Sequence, residues 1–385
     1  VLILLKFKAK RFLVERGMSP SQNDQVCSEL TQSSCSSSKH VYEESKSPIS
    51  PSSAARKDFL YAKLPNKIPS IPLSQFSEVV NSQFEGDYLD DMTKLEQWTK
   101  KPPTPFYIPP VKTLDRYCNV LTFDSTRVKV GVAAQEKAID YINASHIAKC
   151  PTGKVSYIAA QAPPIAAFNS FWKMIWEQQS VVVIMLTKLK EGDRDKAAKY
   201  WPEFDAKVSD NGARSFGGLY IKPLHEAHRE HDCVLRTFDL TLPVGGAPEG
   251  SSASDSLLQT LTVTHISYDG WPDFGAPHEY SSFSHLFELY RAIRHKMLQV
   301  HDSPVVLHCS AGIGRTGTFI VIDQIIDQVE AAGHKPDFPI NVPNMIWALR
   351  QQRHGMVQTP DQYTFIFMFL EYYFREKRNS VAATS

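Results

Sequence analysis

The sequence predicts an α/β protein, because short apolar runs of strand character alternate with longer segments of helical spacing. Residues 180–187 (SVVVIMLT) and 303–308 (SPVVLH) are continuous apolar runs, as in strands covered on both faces. Residues 168–178, 280–298, 316–331 and 362–374 repeat their apolar positions with helical spacing. With 385 residues, 42% of them hydrophobic and 11% aromatic, the chain has enough apolar surface for a substantial core.

Taken in order, the chain starts VLILLKFKAKRF, an apolar run well short of the ~20 residues a membrane span needs. No span is expected in the sequence as written. The run reads either as the end of an amphipathic segment or as the stub of a span with a basic flank in Lys6, Lys8, Lys10 and Arg11. Lys10 and Arg11 ahead of Phe12, Leu13 and Val14 also fit a linear docking motif for a charged groove on a kinase. Residues 19–53 are Ser-rich and poor in large apolar side chains, so a disordered tail is expected over 1–56, with Ser19-Pro20, Ser47-Pro48 and Ser50-Pro51 as candidate sites for proline-directed kinases.

Residues 57–99 are expected to form a helical extension docked on a compact domain at 100–378. Phe76, Val79, Val80, Phe84, Leu89, Met92, Leu95 and Trp98 repeat at helical spacing, with an interruption near Gly86. A cluster of prolines from Pro102 to Pro110 then breaks regular structure at the start of that domain. Residues 245–256 (GGAPEGSSASDS) read as a surface excursion between two strands, and 379–385 as a disordered C-terminus.

A net charge of +1, from 42 basic and 41 acidic residues, provides no overall field for nucleic acid or anionic lipid, so anion binding has to be local. The six cysteines lack short-spaced pairs, which argues against a disulfide framework and a four-ligand zinc site and favours a reducing compartment. His225, His228 and His231 read as a polar loop, so no metal and no cofactor is expected.

The chemistry concentrates in 304–319, PVVLHCSAGIGRTGTF: an apolar strand, a loop of small residues, then a helix. The small residues Ser310, Ala311, Gly312 and Gly314, with Ile313 set among them, let successive amides turn inward, and the helix start near Arg315 adds its positive end, which makes a cradle for a dianion such as phosphate. A thiol at its base is driven toward thiolate by the amides, the helix end and Arg315, making Cys309 a nucleophile. The planar fork of Arg315 suits two phosphoryl oxygens at once.

HCSAGIGRTG resembles the signature loop of the protein tyrosine phosphatases. The resemblance extends in family order through DRYCNVLTFDSTRV (115–128), DYINASHI (140–147), YIAAQAP (157–163), VVVIMLTKLKEGDRDKAAKYWP (181–202), WPDFGAP (271–277) and GMVQTPDQY (355–363), covering about 100–375. It implies a highly twisted mixed sheet flanked by helices on both sides, and a tyrosine-specific, non-receptor-like enzyme that hydrolyses phosphotyrosine in proteins through a phosphocysteine.

Site roles come from the same resemblance, position by position. Cys309 is the nucleophile and Arg315 binds phosphate. Asp273 is the general acid, then base, on a closing loop with Trp271 and Pro272 as hinge and anchor and Phe274 beside it. Gln358 and Gln362 orient the attacking water, Thr316 stabilises the departing thiolate, and His308 supports Cys309 through hydrogen bonding. Tyr117 stacks on the substrate ring, with Asn119 nearby, and Glu191 and Lys196 brace the arginine and the acid loop. The chain departs from the family at Asp115 (usually Asn), Asn119 (often Asp), Ala162 (Gly) and Ala276 (a larger apolar residue), which touches peptide orientation and loop dynamics.

The expected partners are phosphotyrosyl proteins, a signalling kinase of the MAP kinase class among them, and no nucleic acid. A monomer acting in the cytoplasm, or also in the nucleus, is expected. The rivals are a catalytically dead phosphotyrosine-binding module and a phosphoinositide or dual-specificity phosphatase. The first should lack Cys309 or Asp273, and the second should carry basic residues inside the loop; neither is the case.

Overall fold

The computed structural model describes residues 69–82, 85–99, 105–109, 111–131, 140–205, 207, 212–229, 231–243, 258–272, 275–277 and 279–384. The Ser-rich tail, its basic start and the 245–256 insertion fall outside the described residues.

The centre is a nine-stranded sheet. In chain order its strands are β1 (Arg127–Lys129), β2 (Tyr141–Ile147), β3 (Tyr157–Ala160), β4 (Val182–Met185), β5 (Arg214–Phe216), β6 (Leu219–Arg229), β7 (Cys233–Pro243), β8 (Leu258–Tyr268) and β9 (Val305–His308). They lie in the order β5-β6-β7-β8-β4-β9-β3-β2-β1. The pairs β8·β4, β4·β9 and β9·β3 are parallel and the rest antiparallel, so the mixed sheet implied by the resemblance is present. The runs VVIM of β4 and VVLH of β9 are buried at every position, as parallel strands covered on both faces must be.

The helices are α1 (Phe76–Ser82), α2 (Glu85–Thr99), α3 (Phe168–Glu177), α4 (Tyr280–Met297), α5 (Gly314–Ala331), α6 (Val342–Arg350) and α7 (Pro360–Thr384). Gly86, near which an interruption was expected, lies within the first turn of α2, and residues 83–84 between the two helices fall outside the described residues. Side chains alternate across a strand, which sorts the helices onto the two faces. Tyr157, opposite Val305, reaches Asp323 of α5, whereas His308, of opposite parity, packs its ring on Phe171 of α3 at 5.9 Å. Helices α5 and α3 therefore cover opposite faces.

Helix α3 buries Phe171, Trp172, Met174 and Ile175 along one stripe, worth about 1.5–3 kcal/mol for each fully buried side chain. Helix α4 packs Phe283, Phe287 and Tyr290 against Phe319 of α5, and Arg294 joins both Asp323 (2.5 Å) and Asp327 (2.8 Å) of α5. These buried charges are mutually satisfied, so removing one partner would strand the other. Helix α6 is started by Asn341, whose side chain accepts from the Asn344 amide at 2.9 Å.

Helices α1 and α2 lie against α6 and α7: Phe76 stacks on Phe367, the Tyr363 hydroxyl donates to Asp91, and Arg350 donates to the Thr99 hydroxyl. Helix α7 continues to Thr384, into the 379–385 stretch where a disordered C-terminus was expected. No Gly or Pro comes after Pro360 to stop it, and Arg375–Glu371 (2.9 Å) and Lys377–Glu288 (2.9 Å) support its last turns. Among the described residues no helix is long and apolar enough to cross a membrane.

Candidate active site

The site lies at the carboxyl ends of β9, β3 and β4, where β9 leaves the sheet and turns into α5. Residues 309–313 make that turn, and α5 begins at Gly314 with no side chain capping its amides, so these point to whatever occupies the loop. Gly312 has φ +73°, and a Cβ there would lie 2.0 Å from the Ala160 carbonyl oxygen. Only glycine fits this crossing.

Cys309 Sγ sits at the base of the loop and accepts from the Gly312 amide at 3.3 Å. Burial alone would push the thiol up. The Thr316 hydroxyl, the Arg315 charge and the Thr316 and Gly312 amides outweigh it and hold the thiol below its ordinary value. The Thr316 hydroxyl bears on the sulfur without meeting full hydrogen-bond geometry, and its buried oxygen has no other partner.

Arg315 is held from the front by a two-pronged pair with Glu191, at 2.5 and 2.9 Å. Glu191 also accepts from Thr187 at 3.2 Å and lies 3.7 Å from Lys196. The guanidinium further donates to the Leu186 and Pro272 carbonyls, both at 3.2 Å. The residue preceding Asp273 is therefore tied to Arg315, although Asp273 and Phe274 themselves fall outside the described residues. Trp271 is buried, donates to the Gly275 carbonyl at 2.8 Å and packs on Phe283 and Phe365. In this position it anchors the segment.

On the rim, the Ser310 hydroxyl donates to the Lys196 carbonyl at 2.6 Å, so it accepts from the Tyr117 hydroxyl at 2.8 Å. The Tyr117 ring thus stands half-buried beside the loop; Asn119 is exposed. Ala311 is half-buried and Ile313 buried. The carboxylate of Asp115 accepts from the Tyr141 hydroxyl (2.7 Å) and the Asn143 amide (2.9 Å), which gives this departure a structural use. Burial raises its pKa, against the effect of those donors.

Gln358 and Gln362 both reach Gly314: a Cβ at Gly314 would lie 2.9 Å from the Gln362 amide group and 3.3 Å from Gln358 Oε1. Gln362 Oε1 accepts the amide of Gln358 at 2.9 Å and of Thr359 at 3.3 Å, closing the start of α7. Their segment presses onto α5 at Gly317, where a Cβ would be 2.6 Å from the Val357 nitrogen. Val357, with φ +59°, holds a backbone that a β-branched residue rarely adopts.

Three residues at the site carry no signal of their role in the sequence. Arg353, fully buried, donates to the Gly312 (2.8 Å) and Ala311 (3.1 Å) carbonyls and to Asn143 and Ser145, so it turns the loop carbonyls outward and leaves the amides inside. Tyr200 contacts the rings of His308 and His265, each at 2.8 Å. Arg116 donates to the Ala162 and Pro163 carbonyls. Arg353 lies in no such string, whereas Arg116 lies in DRYCN and Tyr200 in KYWP, neither of which shows what the side chain reaches. Among the described residues Cys150, Cys233 and Cys309 are free thiols.

The family model described as Protein-tyrosine phosphatase matches residues 112–372. The chain is 36% identical over 256 residues to the Tyrosine-protein phosphatase Lar-like of Caenorhabditis elegans, covering 66% of this chain and 10% of that protein. It is 33% identical over 259 residues to the human Receptor-type tyrosine-protein phosphatase C, covering 67% and 18%. To the mouse Receptor-type tyrosine-protein phosphatase epsilon it is 36% identical over 257 residues, covering 66% and 33%. The chain thus spans a third or less of the length of these relatives, and two of the three carry receptor-type names, which gives no support to a non-receptor-like or cytoplasmic assignment. With the family model matched over most of its described length, this chain belongs to the protein-tyrosine phosphatase family.

Proposed function

We propose that the chain hydrolyses phosphotyrosine in proteins through a phosphocysteine intermediate. The observation that carries this reading is Cys309, a thiol held below its ordinary pKa at the base of an amide-lined loop that begins α5, with the Arg315 guanidinium fixed by Glu191 beside it.

In the first step the Cys309 thiolate attacks phosphorus, the S–P bond forms, and the bond to the tyrosine oxygen breaks as Asp273 donates its proton. Arg315 and the loop amides oppose the charge on the equatorial oxygens. The Pro272 carbonyl is a long, exchangeable partner of Arg315 that a phosphoryl oxygen can replace. In the second step Gln358 and Gln362 orient water, Asp273 takes its proton, and the S–P bond breaks to return a thiolate steadied by Thr316. The half-buried Tyr117 ring supports a cleft deep enough to favour phosphotyrosine over phosphoserine.

Turnover of para-nitrophenyl phosphate tests the reading: it should vanish in Cys309→Ser and after alkylation of this one thiol. Activity surviving either change would overturn it. Peroxide should inactivate reversibly, with rescue by a thiol reductant.

The finer proposal is a signalling kinase of the MAP kinase class as substrate, on the intracellular side of a membrane or in the cytoplasm. Its support is the basic-apolar string at Lys10–Val14 and the need of Cys309 for a reducing setting, both read from sequence. An Asp273→Ala protein used to capture phosphotyrosyl proteins from cells should retain such a kinase; capture of other phosphoproteins alone would refute this choice.

A further inference from the structure

Behind Cys309 a buried chain of polar side chains runs from β9 to β8. His308 Nδ1 lies 2.9 Å from the Cys309 carbonyl oxygen, His308 Nε2 lies 2.8 Å from the Tyr200 hydroxyl, and that hydroxyl lies 2.8 Å from His265 Nε2. All three side chains are fully buried.

The direction of every hydrogen bond in this chain is set from its end. A carbonyl only accepts, so His308 Nδ1 carries a hydrogen. Burial lowers the His308 pKa to about 4 and the cation of Arg116 works the same way, outweighing the bond to the Cys309 carbonyl that opposes them, so the ring is neutral and Nε2 is a bare lone pair. Tyr200 must donate to it. A hydroxyl has one hydrogen, so the contact with His265 has to be supplied from the other side, by a hydrogen on His265 Nε2. Burial and the cation of Arg236 keep His265 neutral as well, which leaves its Nδ1 bare. His265 Nδ1 is indeed a buried atom with no hydrogen-bond partner.

The reverse arrangement would need an imidazolium at His308. The charged groups that bear on the two rings are Arg236 of β7 and Arg116, both cations, while α3 presents Phe171 and Phe168 to the cluster and Trp201 and Phe238 cover His265. Neither cation favours a positive ring at His308.

We propose that His265 is a positioning residue for the nucleophile: by donating to Tyr200 it starts a one-way relay, His265 to Tyr200 to His308 to the Cys309 carbonyl. The aligned donors polarise one another, and the last draws on the Cys309 carbonyl and polarises the peptide bond that follows the sulfur-bearing residue. This inference rests on Cys309 being the nucleophile. It places a residue of the strand that leads into the acid loop behind the reacting sulfur.

Nitrogen-15 spectra of the imidazoles in the unmodified protein test the relay without turnover. The expected result is hydrogen on Nε2 of His265 and on Nδ1 of His308, both neutral at pH 7; the opposite tautomer on either ring overturns the proposal. The second measurement is the pH dependence of Cys309 alkylation. His265→Leu should raise the thiolate pKa by about half to one unit, a three- to tenfold loss of thiolate at a pH below it, and lower kcat with KM little changed. His265→Gln, which keeps a donor at the ε position, should restore both. A His265→Leu protein that melts earlier but keeps the wild-type alkylation profile would show a structural role only and overturn the inference. Loss of turnover in the unmodified protein, by contrast, would count against the phosphatase reading and not the relay.

Discussion

The two sides of the phosphate loop are held by two arginines in different ways. At the rear, Arg353 is completely buried and donates only to fixed partners, the Gly312 and Ala311 carbonyls, Asn143 and Ser145. At the front, Arg315 is paired to Glu191 but shares a longer bond with the Pro272 carbonyl of the acid loop. The rear shapes the cradle and has nothing to exchange, whereas the front keeps contacts that, on the proposed function, a substrate would replace. Preorganisation and mobility are thus divided between two guanidiniums that differ in what surrounds them.

The largest expected effect is on the rear. Arg353→Met would leave two loop carbonyls and the Asn143 oxygen buried without donors, and should lower unfolding free energy by about 3–5 kcal/mol in urea titration. Next comes Arg315→Lys, which keeps the charge but not the fork. It should lower kcat about 10²–10³-fold while the urea midpoint moves little. If Arg315→Lys proved the more destabilising of the two, the division would be wrong.

The rear should also answer to pH. Burial holds His308 at a pKa of about 4 against an ordinary 6.5, so between those values the unfolded chain binds a proton that the folded one refuses. Its contribution is present above pH 6.5 and lost as pH falls toward 4, up to about 3 kcal/mol. The stability gap between pH 7 and pH 4.5 should therefore shrink in His308→Gln; an unchanged gap would contradict a neutral buried ring. The smallest effect is expected at the rim: Tyr117→Ala should lower kcat/KM for a phosphotyrosyl peptide about tenfold, from the loss of one aromatic contact.

The local and the distant residues differ in how far they were legible. The strand-loop-helix string 304–319 carried its own meaning, because an amide cradle is built from consecutive small residues and a helix start. The apolar runs of β4 and β9 announced strands covered on both faces, whereas the mixed sheet was implied only by the resemblance. By contrast, the extension of α7 to Thr384 was not legible, since its last residues, RNSVAAT, carry no apolar stripe.

By itself the chain's order of residues carried the family and placed the proposed nucleophile and its arginine, since these lie in contiguous strings whose spacing is their chemistry. Only the tertiary structure decided which side chains stand behind them. Arg353 reaches Gly312 across 41 residues and His265 reaches Tyr200 across 65. Such partners meet because strands and helices far apart in sequence pack on one core, and no local pattern encodes a hydrogen bond formed across that distance.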